Sequence, residues 1–514
     1  MTSRISLNPS IGAAPSVTTR KTPGDTLNVD DYASTPRPSE SATSGFPKQT
    51  GQSLSYWLQQ VRCDPLLDHR TTPDLPDDAD TVIIGSGLSG TLIASHHLST
   101  FPSKTVVILE AREFCSGATG RNAGHCKPDQ WRHYAKFEAA YGAEQAVKIM
   151  ENEAATWKAL VEYVQENEVD CDLWIGDTLD VPVTDEVAKT AKEMFERYKA
   201  AGGKVGHITV THDPDEAVKM SRIKSAKACY SWSASTLQPW KLTASLMRTN
   251  VEKAANLQTH TLVTSVSPTQ PGDGEKRKWV VHTERGDVKC DSVVHATNAY
   301  AAAIEPSLKG VISPKPHVCN QFIPPRELSG SKALKNSYGV LLPDGALFSI
   351  NPRASSDGSI MFGGSNPGQK KLDEWSHGNT ERSVDDGLAN VEIVTKEVRE
   401  FVRTEFLGGG MEGGEQVKYA PGEGFVYSWS GIIGLSADGV PFVGEIPGKE
   451  GQWICAGHHG HGMARIFTAA PGLVKLMNGA KWSETGLVDV YQMTLERLEK
   501  LKKEAMGTER IAVI

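Results

Sequence analysis

The stretch Asp80-Thr81-Val82-Ile83-Ile84-Gly85-Ser86-Gly87-Leu88-Ser89-Gly90 sets what this chain can fold into. A short apolar run suited to a buried strand feeds straight into Gly85-x-Gly87-x-x-Gly90, and helix-compatible residues follow. Each glycine answers a physical demand. Gly85 lets the chain turn sharply, Gly87 lets backbone approach a pyrophosphate, and Gly90 lets the helix lie close on the strand. The helix start, with Leu88 and Ser89, turns unpaired N–H groups and a positive dipole end toward a diphosphate. A second apolar run, Thr105–Leu109, ends at Glu110, twenty residues past Gly90, where a ribose-binding acid is expected. The ligand read from this spacing is a dinucleotide. An incidental glycine turn is the competing reading in a chain with 48 glycines.

At 514 residues the chain has room for two to four domains, or two large interleaved ones. Its net charge of -8 argues against nucleic acid as a partner. No apolar run approaches the roughly 20 residues of a spanning helix, so no membrane span is expected. The 8 cysteines are scattered without a Cys-x-x-Cys, which fits free thiols in a reducing compartment and gives no metal site. A cytoplasmic location follows from that, and the first residues hold the alternative. Residues 1–24 carry Arg4, Arg20 and Lys21 and no acid, as mitochondrial targeting segments do, although Pro9, Pro15 and Pro23 interrupt any helix.

Residues 1–52, rich in Ser, Thr, Pro and Gly, read as a disordered extension. A brace helix and linker are expected over 53–78, with Leu54, Trp57, Leu58 and Val61 on one face. After Glu110 the loop Ser116–Asp129 is dominated by small residues, with Arg121, His125 and Lys127 its bulky polar groups, as a loop laid against a flat ligand would be. Helical patterns prevail from about 131 to 201, with Ile149, Trp157, Leu160 and Val164 as core contacts and a stop at Gly202-Gly203. A helix from Gln238-Pro239-Trp240, a strand at Leu262–Val266, a hairpin around Arg285-Gly286-Asp287 and a separate buried strand, Ser292–Ala296, mark a return to the nucleotide domain. Residues 311–430 read as successive short strands, hence a mainly antiparallel sheet. The glycine run 408–414 reads as a mobile surface loop.

Near the other end, Trp453–Ala456 suits a strand running into Gly457-His458-His459-Gly460-His461-Gly462-Met463. A helix follows, its apolar residues Ile466, Phe467, Ala470, Leu473, Val474 and Met477 spaced at helical period from Met463 and its course bent at Pro471. Three close histidines invite a metal, but no carboxylate or cysteine cluster joins them in sequence.

Taken together, Gly85–Glu110, Ser116–Asp129, Ala296-Thr297-Asn298-Ala299-Tyr300, Ala437-Asp438-Gly439-x-Pro441 and Gly457–Met463 resemble the FAD-dependent oxidoreductase family that includes D-amino acid oxidase, glycine oxidase, sarcosine oxidase and γ-glutamylputrescine oxidase. The resemblance covers about 78–480, and Gly-Ala-Thr-Gly-Arg-Asn-Ala-Gly-His is similar to a fungal-type branch. It implies an α/β (α+β overall) fold, a Rossmann-like FAD-binding domain with an interleaved antiparallel-sheet substrate domain. On that reading 79–130, 240–310 and 430–480 form the discontinuous FAD-binding domain. Residues 131–239 and 311–429 form the substrate domain, and 481–514 a C-terminal helix and tail. The implied reaction oxidises the C–N bond of a small amine or amino acid by hydride transfer to the flavin, followed by hydrolysis of the imine. Dioxygen or another electron acceptor then takes the electrons.

The resemblance also places residues. Gly85, Gly87, Leu88, Ser89 and Gly90 hold the diphosphate, Glu110 and Arg112 the adenosine side, and Val263 the adenine through its backbone. Gly117, Ala118, Thr119, Arg121, Asn122, Gly124 and His125 line the flavin. Asn298, Gly457, Gly460, His461, Gly462 and Met463 complete the cofactor set, the last four at the pyrimidine edge, where a helix N-terminus favours the anionic reduced flavin. For catalysis the candidates are His125 as proton acceptor or orienter, Arg121 beside it, and Arg353 and Tyr427, which end expected strands.

Three departures stand out. Sarcosine-oxidase-like members carry a flavin-linking cysteine where this chain has Gly431, so the FAD is expected to be non-covalent unless Cys115 or Cys126 serves. Their carboxylate-binding lysine falls at Ala464, with Arg465 next, and their oxygen-activating lysine near Ile360-Met361-Phe362, which has none. A nicotinamide-dependent dehydrogenase, which Glu110 suits equally, and a flavin-binding accessory protein without turnover stay open.

Overall fold

Val82, Ile83 and Ile84 are buried on both faces, as a central strand of a covered parallel sheet requires. The structure is a computed structural model that describes residues 45–270, 277–406, 411–412, 415–416 and 419–512. The expected extension therefore lies outside the described residues up to 44, as does most of the 408–414 run. Residues 45–52, expected to be disordered with the extension, are instead held in place. Lys48 pairs with Asp385 at 2.6 Å, and its carbonyl accepts from the Arg112 guanidinium.

Strand β1 (Asp78–Ile84) pairs in parallel with β2 (Val106–Leu109) on one side and with strand Gly286–His295 on the other. The sheet continues through Gln452–Ala456 to Phe442–Glu445 at one edge and ends at Asn256–Gln258 at the other. The hairpin read around 278–291 is present, Trp279–Thr283 pairing antiparallel with Gly286–His295, but its second arm and the separate strand Ser292–Ala296 are one continuous strand, because the pairing with β1 runs on past Asp291. Helix α1 (Tyr56–Gln59) precedes β1, and α2 (Leu88–Thr100) follows it. Helix α1 begins at Tyr56, two residues after Leu54, so Leu54 remains exposed rather than joining the buried face of Trp57 and Leu58.

A second sheet stands over the first. Its order is Gly424–Ser436, Ile312–Ile323, Ile360–Gly363, Leu347–Pro352, Ser337–Leu341, Trp174–Pro182, Cys229–Thr236 and β3 (His125–Cys126). Pairing is antiparallel except where Ser337–Leu341 runs parallel to Trp174–Pro182. Strand Gly424–Ser436 belongs wholly to this sheet, although 430–436 was expected in the nucleotide domain. The run 311–430 is not strands alone: helices Pro367–Ser376 and Glu392–Thr404 stand between them. Helix α3 (Tyr134–Tyr141) leads into α4 (Ala143–Glu166), whose apolar stripe packs on helix Ile466–Met477 of the nucleotide side. The loops at the carboxyl ends of β1 and Gln452–Ala456 thus meet the inner face of the second sheet.

Candidate active site

Two of the glycines after β1, Gly85 and Gly90, leave no room for a side chain. Gly85 has φ +106°, and a Cβ there would lie 2.9 Å from the Ala296 carbonyl oxygen. On Gly90 a Cβ would come within 1.9 Å of the Gly85 carbonyl oxygen, so helix and strand touch backbone to backbone. Gly87 caps α2, and Thr119 Oγ1 accepts from Leu88 N at 3.1 Å. Glu110 accepts from Ser86 N at 3.0 Å, from Ser86 Oγ at 2.7 Å and from Arg112 N at 3.1 Å, which fixes the turn from below. Arg112 itself is spent on Asp386 at 2.7 Å. Val263 is buried at the same end of the site, beside Thr261 and Leu262.

The loop of small residues is clamped from outside. Helix α1 donates Trp57 Nε1 to the Asn122 carbonyl at 2.6 Å and Ser55 Oγ to the Gly120 carbonyl at 2.6 Å. Trp57 fills the place that a Cβ on Gly124 would need, 2.8 Å away. Arg121 donates to the carbonyls of Ser116, Ser53 and Ser430, so its guanidinium is a structural tie between loop, brace and second sheet. That corrects its expected place among the catalytic residues. His125 reaches inward, with Nε2 2.9 Å from Ser337 Oγ and Nδ1 3.2 Å from Ser349 Oγ. Burial, with Lys127 and Arg132 beside it, holds His125 well below the ordinary imidazole range, so it is neutral.

The two distant glycine turns meet. His458 Nε2 lies 3.1 Å from Ser89 Oγ in the first turn of α2, and Asn298 Oδ1 accepts from Gly457 N at 3.0 Å and His458 N at 3.1 Å. Asn298 thereby fastens the end of strand Gly286–His295 to the glycine-histidine loop. One cavity of about 560 Å³ runs from Phe46 and Glu110 past Gly85, Asn122 and Gly460 to Tyr338 and Ser349. Gly117, Ala118, Thr119, Gly462 and Met463 line it too.

A model of the DAO family, described as "FAD dependent oxidoreductase", matches residues 80–476. The chain belongs to this family. A probable oxidoreductase, OrdL, of Rhizobium meliloti is 22% identical over 400 residues, 75% of this chain and 79% of that one. The γ-glutamylputrescine oxidoreductase of Escherichia coli is 27% identical over 233 residues, 45% of this chain and 51% of the relative. A crystal structure of glycine oxidase from Geobacillus kaustophilus superposes with a TM-score of 0.57 at 18% identity over 82% of this chain and 99% of that one, which shows the shared fold.

This FAD-dependent oxidoreductase has residues that fit the cofactor. The Thr297 hydroxyl is buried on the cavity wall beside the Gly85 turn and has no protein partner among the described residues, as a diphosphate contact would leave it. The α2 N-terminus and the glycine cradle complete that end. Position 431 holds a glycine and so offers no thiol for a flavin link, and a Cβ there would lie 2.9 Å from Arg121 Cβ. Cys115 and Cys126 are buried outside the cavity lining, their thiols pushed up by burial, that of Cys126 to about 12.

Two expected substrate residues lie elsewhere. Arg353 stacks 4.6 Å over Trp57 and pairs with Asp172 at 2.7 Å, and Tyr427 stacks on Trp429; neither lines the cavity. Both support the brace around α1 instead. The wall beside His125 brings Lys127 and His461, both named from the sequence, together with Arg132, His133 and Asp180, which were not. Lys127 and Arg132 both face buried Asp180, and His133 and His461 stand next to them. Behind these, Glu153 on α4 is fully buried and accepts from Asp129 N at 2.8 Å, Arg465 Nε at 3.0 Å and His461 Nδ1 at 3.3 Å. Its signal lay in the sequence: Glu153 is four residues from both Ile149 and Trp157, an acid on the apolar stripe.

Proposed function

We propose that this enzyme oxidises the C–N bond of a small amine that also carries a carboxylate, an amino acid or N-substituted amino acid. One observation carries the carboxylate: Lys127 and Arg132 set two cations against the single carboxylate of Asp180 on a buried cavity wall, and Arg132 Nε has no partner among the described residues. A buried guanidinium N–H left unpaired on that wall calls for an acceptor, and guanidinium and ammonium donors match a carboxylate. Burial lowers the Lys127 ammonium below its ordinary range, and the Asp180 carboxylate acts against that shift. The relatives act in the same chemical region, being named as oxidoreductases of γ-glutamylputrescine and of dimethylglycine.

When bound, FAD supplies the hydride acceptor. The protein's own residues do the rest. The loop from Gly117 to His125 and the Gly457–Met463 turn fix the plane of the ring site, His125 presents a neutral imidazole, and the Lys127/Arg132 pair orients the substrate by its carboxylate. We also place the enzyme in the cytoplasm, a reading supported by free cysteines throughout the described residues.

The test is anaerobic reduction of the bound flavin by a panel of α-amino acids, N-methyl amino acids and the corresponding decarboxylated amines. Bleaching by the carboxylated members alone supports the reading. Bleaching by the decarboxylated amines at equal rates would remove the anchor, and no bleaching by any member would remove the reaction. Admitting air afterwards separates dioxygen from another acceptor by the appearance of peroxide.

A further inference from the structure

Oxidation of an amine needs the free base, whereas an amino acid in neutral water carries an ammonium. A proton must leave before hydride can. His125 was the sequence candidate for that task, yet both its ring nitrogens are already within hydrogen-bond distance of serine hydroxyls of the second sheet. Another imidazole on the same wall is built differently. The Nδ1 of His133 is hydrogen-bonded to Asp129, whose carboxylate also accepts from the backbone N–H groups of Trp131, Arg132 and His133 at 3.0–3.2 Å. Asp129 is therefore immobile, and it fixes the ring and its tautomer: Nδ1 carries the hydrogen. His133 lines the cavity, its side chain is 38% exposed, and its Nε2 has no hydrogen-bond partner among the described residues.

We propose that His133 Nε2 is the base that accepts the substrate's ammonium proton, with Asp129 as its positioning residue. This rests on the amino-acid reading above. The N–H bond of the ammonium breaks, an N–H bond forms at Nε2, and the electron pair stays on the substrate nitrogen, ready to assist departure of hydride from the neighbouring carbon. The resulting imidazolium is stabilised by the Asp129 carboxylate and returns its proton to water once product leaves. The carboxylate anchor lies next door: Arg132 is the preceding residue and Lys127 faces the same Asp180.

The charged groups around the ring are consistent with the role. Asp129 faces it from its own loop, Arg132 from the adjacent position, and His461 crosses it edge-on at 5.7 Å from the glycine-histidine loop. Glu153 on α4 stands behind, tied to both Asp129 and His461. Burial outweighs Asp129 and keeps His133 below its ordinary range, so the ring is neutral at pH 7 and able to accept.

The experiment uses the flavin-loaded enzyme and the fastest amino acid from the panel, with anaerobic flavin reduction followed from pH 6 to 9. Wild type is expected to show a nearly flat limiting rate across this range. His133→Gln is expected to reduce about 100- to 10,000-fold more slowly at pH 7. Its rate should climb about tenfold per pH unit as solution supplies the free amine. Asp129→Asn, which loses the charge and one of the two acceptor oxygens, should fall between the two. Added imidazole should restore part of the His133→Gly rate. A His133→Gln enzyme that reduces at the wild-type rate with the wild-type profile overturns the proposal. Loss of flavin from both His133 variants would assign the residue to the fold and overturn it equally. A wild type that no amino acid reduces would instead remove the substrate reading, so the two failures are distinct.

Discussion

At the scale of single residues, the site is made by what is missing and by what is buried. Gly90→Ala places a methyl 1.9 Å from a carbonyl oxygen that cannot retreat without moving β1 from α2, so the variant should lose FAD and about 1–3 kcal/mol of stability. Flavin content after purification and urea unfolding measure the two effects. Lys127→Met removes one of two cations facing Asp180. The Michaelis constant for the carboxylated substrate should rise about 10- to 100-fold, the value of a lost charge-assisted hydrogen bond. Asp129 adds a pH signature. Burial alone would raise its carboxyl, but His133, Arg132 and His461 hold it well below the usual carboxylate range. Its folded pKa lies below the unfolded one, so its contribution is complete above about pH 4 and is lost as pH falls through the folded value. Urea unfolding of wild type and Asp129→Asn should therefore differ at pH 7 and converge in stronger acid. The glycines after β1 and Glu110 were legible from spacing, and His125 from the family resemblance. Glu153 and Asp180 were not singled out, because an acid in a helix or strand reads as solvated until the partners that bury it are known.

Among the elements, the four-residue helix α1 is the unexpected contributor. It is too short to be stable by itself and is held by its side chains. Trp57 is fully buried, caps the space beside Gly124 and donates to Asn122, and Arg353 closes over its outer face. Trp57→Phe keeps most of the packing and loses the N–H donor, so FAD affinity should fall about tenfold or less, in line with about 1 kcal/mol for one hydrogen bond. Trp57→Ala should cost about 3–5 kcal/mol and empty the site of flavin. Fluorescence titration of the apoprotein with FAD, with its thermal midpoint as control, separates the two. Sequence pattern located this helix but not its task, since the loop it clamps is more than 60 positions away. Pattern also split strand Gly286–His295 at Asp291-Ser292, where polar residues face outward without interrupting the pairing with β1. Helices Pro367–Ser376 and Glu392–Thr404 went unread, because strand-rich neighbours on both sides drew the reading toward a continuous sheet.

Across the whole molecule, two glycine turns separated by some 370 positions touch through Ser89 and His458 and open onto one cavity, and the second sheet walls that cavity with cations and imidazoles. Chain order concealed this, since strands from both ends of the sequence fill the middle of the nucleotide sheet. The fold was legible because the glycine fingerprint and the late glycine-histidine loop have few alternative uses; the substrate wall was legible only in part, because the 127–133 loop meets Glu153 of α4 and Asp180 of the second sheet, which no common motif joins to it. The measurement that bears most directly on the account is the visible spectrum of the purified protein before and after anaerobic addition of an amino acid substrate. The expected result is the visible absorption of oxidised flavin and its bleaching by the amino acid. A colourless protein that takes up no added FAD, or a yellow one that no amino acid bleaches, would contradict it.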